Sequence, residues 1–93
     1  MTIDHRPVVN PMIVLRKEFD DWAVLFDPDS GEAFGINPVG VFIWERLDGR
    51  HTLEDIAQDL KENADGIPED LMNQIEEFVQ LLIDRGLAGY EIG

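Results

Sequence analysis

Short apolar runs separated by turn residues make up the first third of the chain. Three runs are rich in β-branched and aromatic residues, as strands are: "MIVLRKEF" (12–19), "WAVLFD" (22–27) and "EAFGI" (32–36). The charged pair Asp20-Asp21 separates the first two, and "PDSG" (28–31) has the residues of a tight turn. This pattern predicts a three-stranded antiparallel meander.

One face of this meander must be covered by the rest of the chain. Because side chains alternate along a strand, Trp22, Val24 and Phe26 share one face of the second strand. Phe34 and Ile36 share one face of the third. We expect a helical layer to cover the face that these aromatic and aliphatic residues form.

The helical region begins directly after the third strand. Asn37 is a good N-cap and Pro38 suits the first helical position, where its missing N–H costs nothing, so a first helix is predicted over 38–47. Gly49 ends it. Thr52, with Asp55 three residues later, resembles a capping box that opens a second helix over 53–63.

A third helix follows Gly66 and Pro68 in "PEDLMNQIEEFVQLLIDRG" (68–86), which opens with acidic residues and closes with Arg85 and Gly86. Its apolar residues cover roughly 200° of the helix, wider than the ~100° that docking on one core requires. Two interpretations stay open: the helix is central and packs on both sides, or one flank forms a groove for a partner.

The two ends of the chain have weaker patterns. Residues 1–10 are predicted to be a flexible tail, and "LAGYEI" (87–92) is either a tail or a short strand. The 93 residues are enough for one domain with a hydrophobic core, so a single domain over 1–93 is expected.

Charge limits the possible partners. The formal net charge is −13, from 7 Lys and Arg against 20 Asp and Glu, without a basic cluster. Such a chain repels phosphate backbones and anionic membrane surfaces, so neither nucleic acid nor membrane is an expected partner. The acidity either keeps the domain soluble or steers a basic partner. No apolar run is long enough to span a membrane and no signal peptide is present, which favours a cytoplasmic protein.

Residues that carry chemistry are scarce. The chain has no cysteine, and its two histidines, His5 and His51, are far apart in sequence. Glu76 and Glu77 are adjacent and therefore point in different directions on a helix, as do other neighbouring acids. We expect no catalytic residue, no metal site and no cofactor, and therefore no enzymatic activity.

The third strand has a property that suggests binding. As the last strand of a meander it is an edge, with a row of unpaired N–H and C=O groups that an extended peptide can pair with. One of its faces carries only Ala33 and Gly35, and such small residues let another backbone lie close. The third strand and the wide apolar face of the third helix could form the two walls of a peptide groove.

Several segments in this order resemble one known family: "AVLFDPDSGEAFGIN", "IWERLDG", "TLEDIA" and the closing "LLIDRGL". The chain resembles the PqqD-like family, named for pyrroloquinoline-quinone (PQQ) biosynthesis protein D, across residues 10–90. The resemblance implies an α+β, winged-helix-like fold in which a meander precedes three helices. It also implies a peptide chaperone, a recognition element that binds the leader segment of a ribosomally made precursor peptide.

The family's binding mode adds the leader as a strand to the third strand, beside the third helix. Carried over to this chain, the implied peptide-binding residues are Glu32, Ala33, Phe34, Gly35, Ile36, Asp70, Leu71, Gln74, Phe78 and Leu81. The implied second partner is a radical S-adenosylmethionine (SAM) enzyme or another peptide-modifying enzyme. The family motif residues Asn37, Trp44, Leu47 and Gly49 are interpreted as structural.

The expected function is therefore non-enzymatic presentation of a leader peptide to a modifying enzyme. Two alternatives remain. A winged-helix transcriptional regulator fits the helix-turn-helix pattern but not the charge, and an acyl or group carrier would need its serine at the start of a helix, whereas Ser30 lies in a strand turn. An open sheet edge also permits a homodimer.

Overall fold

The computed structural model describes residues 6–63, 66 and 68–90. Five strands and three helices follow one another along the chain: β1 (Pro7–Val9), β2 (Val14–Lys17), β3 (Ala23–Phe26), β4 (Ala33–Ile36), α1 (Pro38–Trp44), α2 (Leu53–Asn63), α3 (Leu71–Asp84) and β5 (Ala88–Tyr90). The predicted α+β fold is confirmed, since an antiparallel sheet in the order β2-β3-β4 precedes the three helices.

The turn between β2 and β3 is formed by the two adjacent aspartates. Both Asp20 and Asp21 have positive φ, 55° and 63°. The N–H of Trp22 donates to the carbonyl of Phe19 at 3.1 Å, which closes the turn. Two left-handed residues match the right-handed twist of a hairpin, and aspartate adopts this conformation more readily than most residues. The predicted hairpin turn is confirmed.

The predicted inner face of β3 is wrong. Ala23 and Leu25 are buried, at 2% and 0% exposure, whereas Trp22 is 49% exposed and Phe26 37%. Leu25 lies opposite Phe34, and Ala23 opposite Ile36, so these four share the covered face. Trp22, Val24 and Phe26 lie on the outer face. The register is the reason: Phe34 and Ile36 lie on the covered face, so their partners Leu25 and Ala23 lie there too.

α1 begins as its sequence predicts. The backbone N–H of Gly40 donates to the side chain of Asn37 at 2.8 Å, and Pro38 is the first helical residue. The helix ends at Trp44, three residues earlier than predicted. Shorter-range backbone bonds continue the chain through Leu47, and Gly49 follows with a φ of 78°.

α2 has the predicted bounds and the predicted capping box. The N–H of Asp55 donates to Thr52 Oγ1 at 3.1 Å, and the N–H of Thr52 donates to Asp55 Oδ2 at 3.0 Å. Arg46 joins α1 to α2, since its guanidinium lies 3.5 Å from the centre of the Phe42 ring and its Nε donates to Asp59 Oδ2 at 3.3 Å. These contacts hold the first two helices together.

α3 ends in a Schellman motif around Gly86. Gly86 has a φ of 75°, its N–H donates to the carbonyl of Ile83 at 3.0 Å, and the N–H of Leu87 donates to the carbonyl of Leu82 at 2.8 Å. The glycine turns the chain sharply. Leu87 is thereby buried at 1% exposure beneath the end of its own helix.

The predicted flexible tail over 1–10 is wrong for residues 7–9, which form β1 and pair with β5 in an antiparallel arrangement. Pro7 is fully buried, and the N–H of Val9 donates to the carbonyl of Leu47 at 2.9 Å. Residues 1–5, including His5, lie outside the described residues. A three-residue strand was hard to predict from sequence because its partner is at the far end of the chain.

The core lies between the β2-β3-β4 sheet and the helices. It is apolar: among the described residues no polar or charged side chain is buried. Within that same part of the chain, no helix has the length and apolar character that a membrane span requires.

Candidate functional site

β4 is a free edge of the sheet, as predicted. Within the described residues it pairs only with β3. The carbonyl of Glu32 accepts from the N–H of Asp27 at 2.9 Å, so the backbone N–H and C=O groups of Glu32 point towards the β3 side. Backbone groups alternate in direction along an antiparallel strand, so the N–H and C=O groups of Phe34 and Ile36 also point towards β3. Those of Ala33 and Gly35 point away from the sheet.

A groove of about 470 Å³ runs between this edge and α3. Strand residues form one wall and helix residues the other, with buried leucines between them. Its lining consists of Leu25, Ala33, Phe34, Gly35, Ile36, Asn37, Phe78, Leu81, Leu82, Arg85 and Leu87. The groove is therefore apolar along nearly its whole length, with backbone groups of β4 free at one side.

The wide apolar arc of α3 divides into two parts. The side chains that face the core are buried, and they are Leu71, Ile75, Val79 and Leu82. Phe78 is half-buried and Leu81 is 48% exposed, and both line the groove. The helix thus packs in the core with one side and contributes apolar surface to the groove with its flank.

The residues predicted for the site do not all lie together. Six of them line the groove: Ala33, Phe34, Gly35, Ile36, Phe78 and Leu81. Leu71 and Gln74 instead line a smaller depression of about 160 Å³, which shares Asn37 and Phe78 with the groove. Asp70 accepts from Gln74 Nε2 at 3.0 Å beside that depression, and Glu32 is exposed just before β4.

The space that Ala33 and Gly35 leave is on the outer face of the sheet. Gly35 lies opposite Val24, an outer-face residue, and a Cβ built on it would meet nothing within 4 Å. The groove is on the other side, next to the rings and side chains of Phe34 and Ile36. The small residues therefore keep the outer side of the edge clear, and the large apolar side chains on the strand side of the groove are those of Phe34 and Ile36.

Of the charged side chains that the structure describes, that of Arg85 lines the groove. Its guanidinium carbon lies 4.9 Å from the centre of the Phe34 ring, a distance at which a cation is attracted to an aromatic face. In the sequence Arg85 is typical of a residue that ends a helix, and it was not among the predicted site residues. Its position at the end of the helix that forms the groove wall was the signal that could have identified it.

His51, Asp48 and Ser30 lie outside the groove. His51 Nδ1 is 3.0 Å from Asp48 Oδ1 in the turn between α1 and α2. That hydrogen bond and the backbone N–H of Arg50 hold the pKa of Asp48 below its ordinary value of 3.8. Ser30 accepts from the N–H of Glu32 in an exposed turn. No three His, Cys, Asp or Glu side chains in the described ranges are grouped closely enough to bind a metal ion.

A family model described as coenzyme PQQ synthesis protein D (PqqD) matches residues 23–88, well over half of the chain. The chain belongs to the PqqD family. The matched span includes β3, β4 and all three helices, and so both walls of the groove, and the resemblance noted from the sequence is confirmed.

Two solved structures resemble this PqqD-family chain over nearly its full length. The first, described as lasso peptide synthetase B1 complexed with the leader peptide, is 28% identical with a TM-score of 0.75 and covers 90% of this chain and 98% of its own. The second, TbiB1 in complex with the TbiA(beta) leader peptide, is 23% identical with a TM-score of 0.74 over 91% and 99%, and so supports the fold alone. A comparison with curated proteins found no match.

Proposed function

We propose that this PqqD-family chain binds the leader segment of a ribosomally made precursor peptide and presents it to a peptide-modifying enzyme. The observation that carries the proposal is the free edge of β4 beside an apolar groove of about 470 Å³. The leader adds to β4 as a further strand. Its backbone pairs with the outward groups of Ala33 and Gly35, and its apolar side chains enter the groove against α3.

This edge is well prepared for strand addition. β4 continues without a loop into α1, and the cap between Asn37 and Gly40 holds that junction. On the other side β4 is held by β3 along its whole length. A pre-formed strand spares part of the ordering cost of binding. A similar chain, the lasso peptide synthetase B1, is seen in complex with a leader peptide.

The role we propose is recognition without catalysis, carried out in the cytoplasm. Among the described residues, Arg85 is the one charged side chain that lines the groove, and no acid-base pair lines it. Backbone pairing and apolar contacts supply affinity but move no proton and break no bond. The chemistry therefore belongs to the enzyme that receives the peptide, for which a radical SAM enzyme is the class that we propose.

The first prediction tests the outward backbone groups of β4. Gly35→Pro removes an N–H that points away from β3, so the sheet keeps its ladder while the leader loses a partner. We expect the variant to fold and to bind its precursor peptide more weakly, by about 1–3 kcal/mol. Isothermal titration calorimetry measures the affinity, and circular dichroism checks the fold.

The matched control is Lys17→Pro on β2, the other free edge of the same sheet. The N–H of Glu18 donates to the carbonyl of Trp22, so the backbone N–H of the neighbouring Lys17 points away from β3, as that of Gly35 does on β4. This variant should bind the peptide normally. If both proline variants lose the same affinity for the peptide, the substitution damages the sheet as a whole and the result gives no support to the β4 edge as the binding site.

Amide shifts in isotope-labelled protein locate the bound peptide directly. On titration with the same precursor we expect the shifts to concentrate at 33–36 and 78–87. Shifts confined to 50–60 would place the binding face on the turn and helix after α1, and the β4 edge model would be wrong.

A further inference from the structure

The cation at the groove suggests which peptides the groove accepts. We infer that Arg85 selects a leader with a carboxylate at one position, a few residues away from the apolar side chain that contacts Phe78. This inference rests on the proposed function, because it concerns the same groove. It adds a preference for an acidic residue in the leader, which neither the fold nor the apolar lining of the groove requires.

Arg85 has no acidic partner within the described residues. Its nearest acid in sequence, Asp84, accepts from Gln80 Nε2 at 2.9 Å, and the ion pairs of the described chain involve other cations. Arg85 is an exposed residue, and its guanidinium carbon lies 4.9 Å from the centre of the Phe34 ring at the groove. An arginine held in this way still has its planar set of donors available to a carboxylate.

The surrounding charge makes this one position distinctive. With a net charge of −13 the protein repels acidic peptides in general, and the other residues that line the groove are uncharged. A carboxylate is therefore favoured beside Arg85 and disfavoured elsewhere along the bound strand. The groove selects the position of an acidic residue as well as its presence.

The distance along α3 gives the spacing. Phe78 packs near Gly40, at the end of β4 that leads into α1, and Arg85 packs on Phe34, nearer the start of β4. Arg85 follows Phe78 by about two helical turns, which is roughly 10 Å. An extended peptide covers that distance in about three residues. The acidic residue should therefore lie two to four positions from the apolar anchor.

A displayed library of random 12-residue peptides tests this preference even where the sequence of the natural leader is not known. Peptides selected on the wild-type protein should be enriched in Asp or Glu two to four positions from a large apolar residue. Selection on Arg85→Gln should lose that enrichment, and selection on Arg85→Lys should keep part of it. Arg16→Gln, the same substitution on β2 away from the groove, is the matched control and should select like the wild type.

A selected peptide and its Glu→Gln version, titrated into each variant, complete the test. The peptide substitution should weaken binding to the wild type by about two- to fivefold at low salt, and should have no effect on binding to Arg85→Gln. Equal losses on both proteins would overturn the inference, and so would selected peptides that shift the β4 amides without an acidic preference, although the proposed function would then stand. Selected peptides that leave β4 unshifted would overturn both.

Discussion

At the scale of single residues, local chemistry made the caps predictable. Asn37, Thr52 with Asp55, and Gly86 act through backbone groups at most five residues away, so a sequence motif is enough to identify them. Arg85 was different. Its place at the end of α3 could be read from the sequence, but its contact with Phe34 on β4 depends on how the helix packs against the sheet, which no sequence pattern reports.

The turn between α1 and α2 leads to a prediction about acid. The His51 ring and the N–H of Arg50 lower the pKa of Asp48 from 3.8 in the folded protein. A lowered pKa means that the unfolded chain takes up the proton first. The ionised Asp48 therefore stabilises the folded protein fully above about pH 5, and this contribution is lost as the pH falls through the folded pKa of Asp48.

We expect Asp48→Asn to melt at a lower temperature than the wild type at about pH 6. The difference in melting temperature between the two proteins should become smaller as the pH falls from about 5 to about 3. Thermal melts followed by circular dichroism across this range give the comparison. Glu62→Gln, which removes one exposed charge from α2, is the control for net charge. A gap that stays constant to about pH 3 would mean that the Asp48 contacts do not stabilise the fold.

At the scale of elements, the order of strands and helices followed from periodicity, but the side of β3 that is covered did not. Alternation defines two faces and leaves open which of them is inside. Leu25 pairs with Phe34, and this register places Leu25 on the covered face of the sheet. The register depends on the turn over 28–31 and not on the size of Trp22. The apolar arc of α3 is too wide for one contact, but its width alone left open whether the extra surface packs in the core or forms a groove wall.

The division of α3 into a core side and a groove flank predicts unequal effects of the same substitution. Leu81 is 48% exposed and Val79 is 1% exposed. Leu81→Asp should therefore fold and melt close to the wild type but bind the precursor peptide weakly. Val79→Asp places a charge in the core and should lower the free energy of unfolding by at least about 3 kcal/mol.

Urea denaturation and peptide titration separate these effects. If Leu81→Asp binds with full affinity, the flank is not part of the peptide site. If instead it unfolds like Val79→Asp, the exposed flank has a structural role that its exposure does not reveal.

At the scale of the whole molecule, long-range pairing was the part that sequence analysis missed. β1 and β5 are three residues each and become strands because each has the other as a partner. Neither has a periodic pattern long enough to identify a strand alone, so the sequence predicts either a tail or a short strand over 87–92, and β5 shows that the strand alternative is correct. The net charge, in contrast, depends on composition alone and could be read before any fold was known.

The buried position of Pro7 predicts how much this pairing matters. Pro7→Asp should destabilise the protein by about 3 kcal/mol or more, because the carboxylate would replace a fully buried side chain. Pro11→Asp is the matched control at an exposed proline and should change the free energy of unfolding by less than about 1 kcal/mol. Urea denaturation measures both. Similar effects from the two variants would mean that β1 contributes little to the fold.

The pairing of β1 with β5 also has a consequence for how this domain can be combined with others. Pro7 lies directly across from Tyr90, so the described chain enters and leaves the fold at neighbouring points. A unit whose two ends meet in this way can be inserted into a loop of a host protein without forcing the host's own strands or helices apart. It can equally be fused at either end. The same recognition module can therefore serve as a separate partner or as an internal part of a larger enzyme.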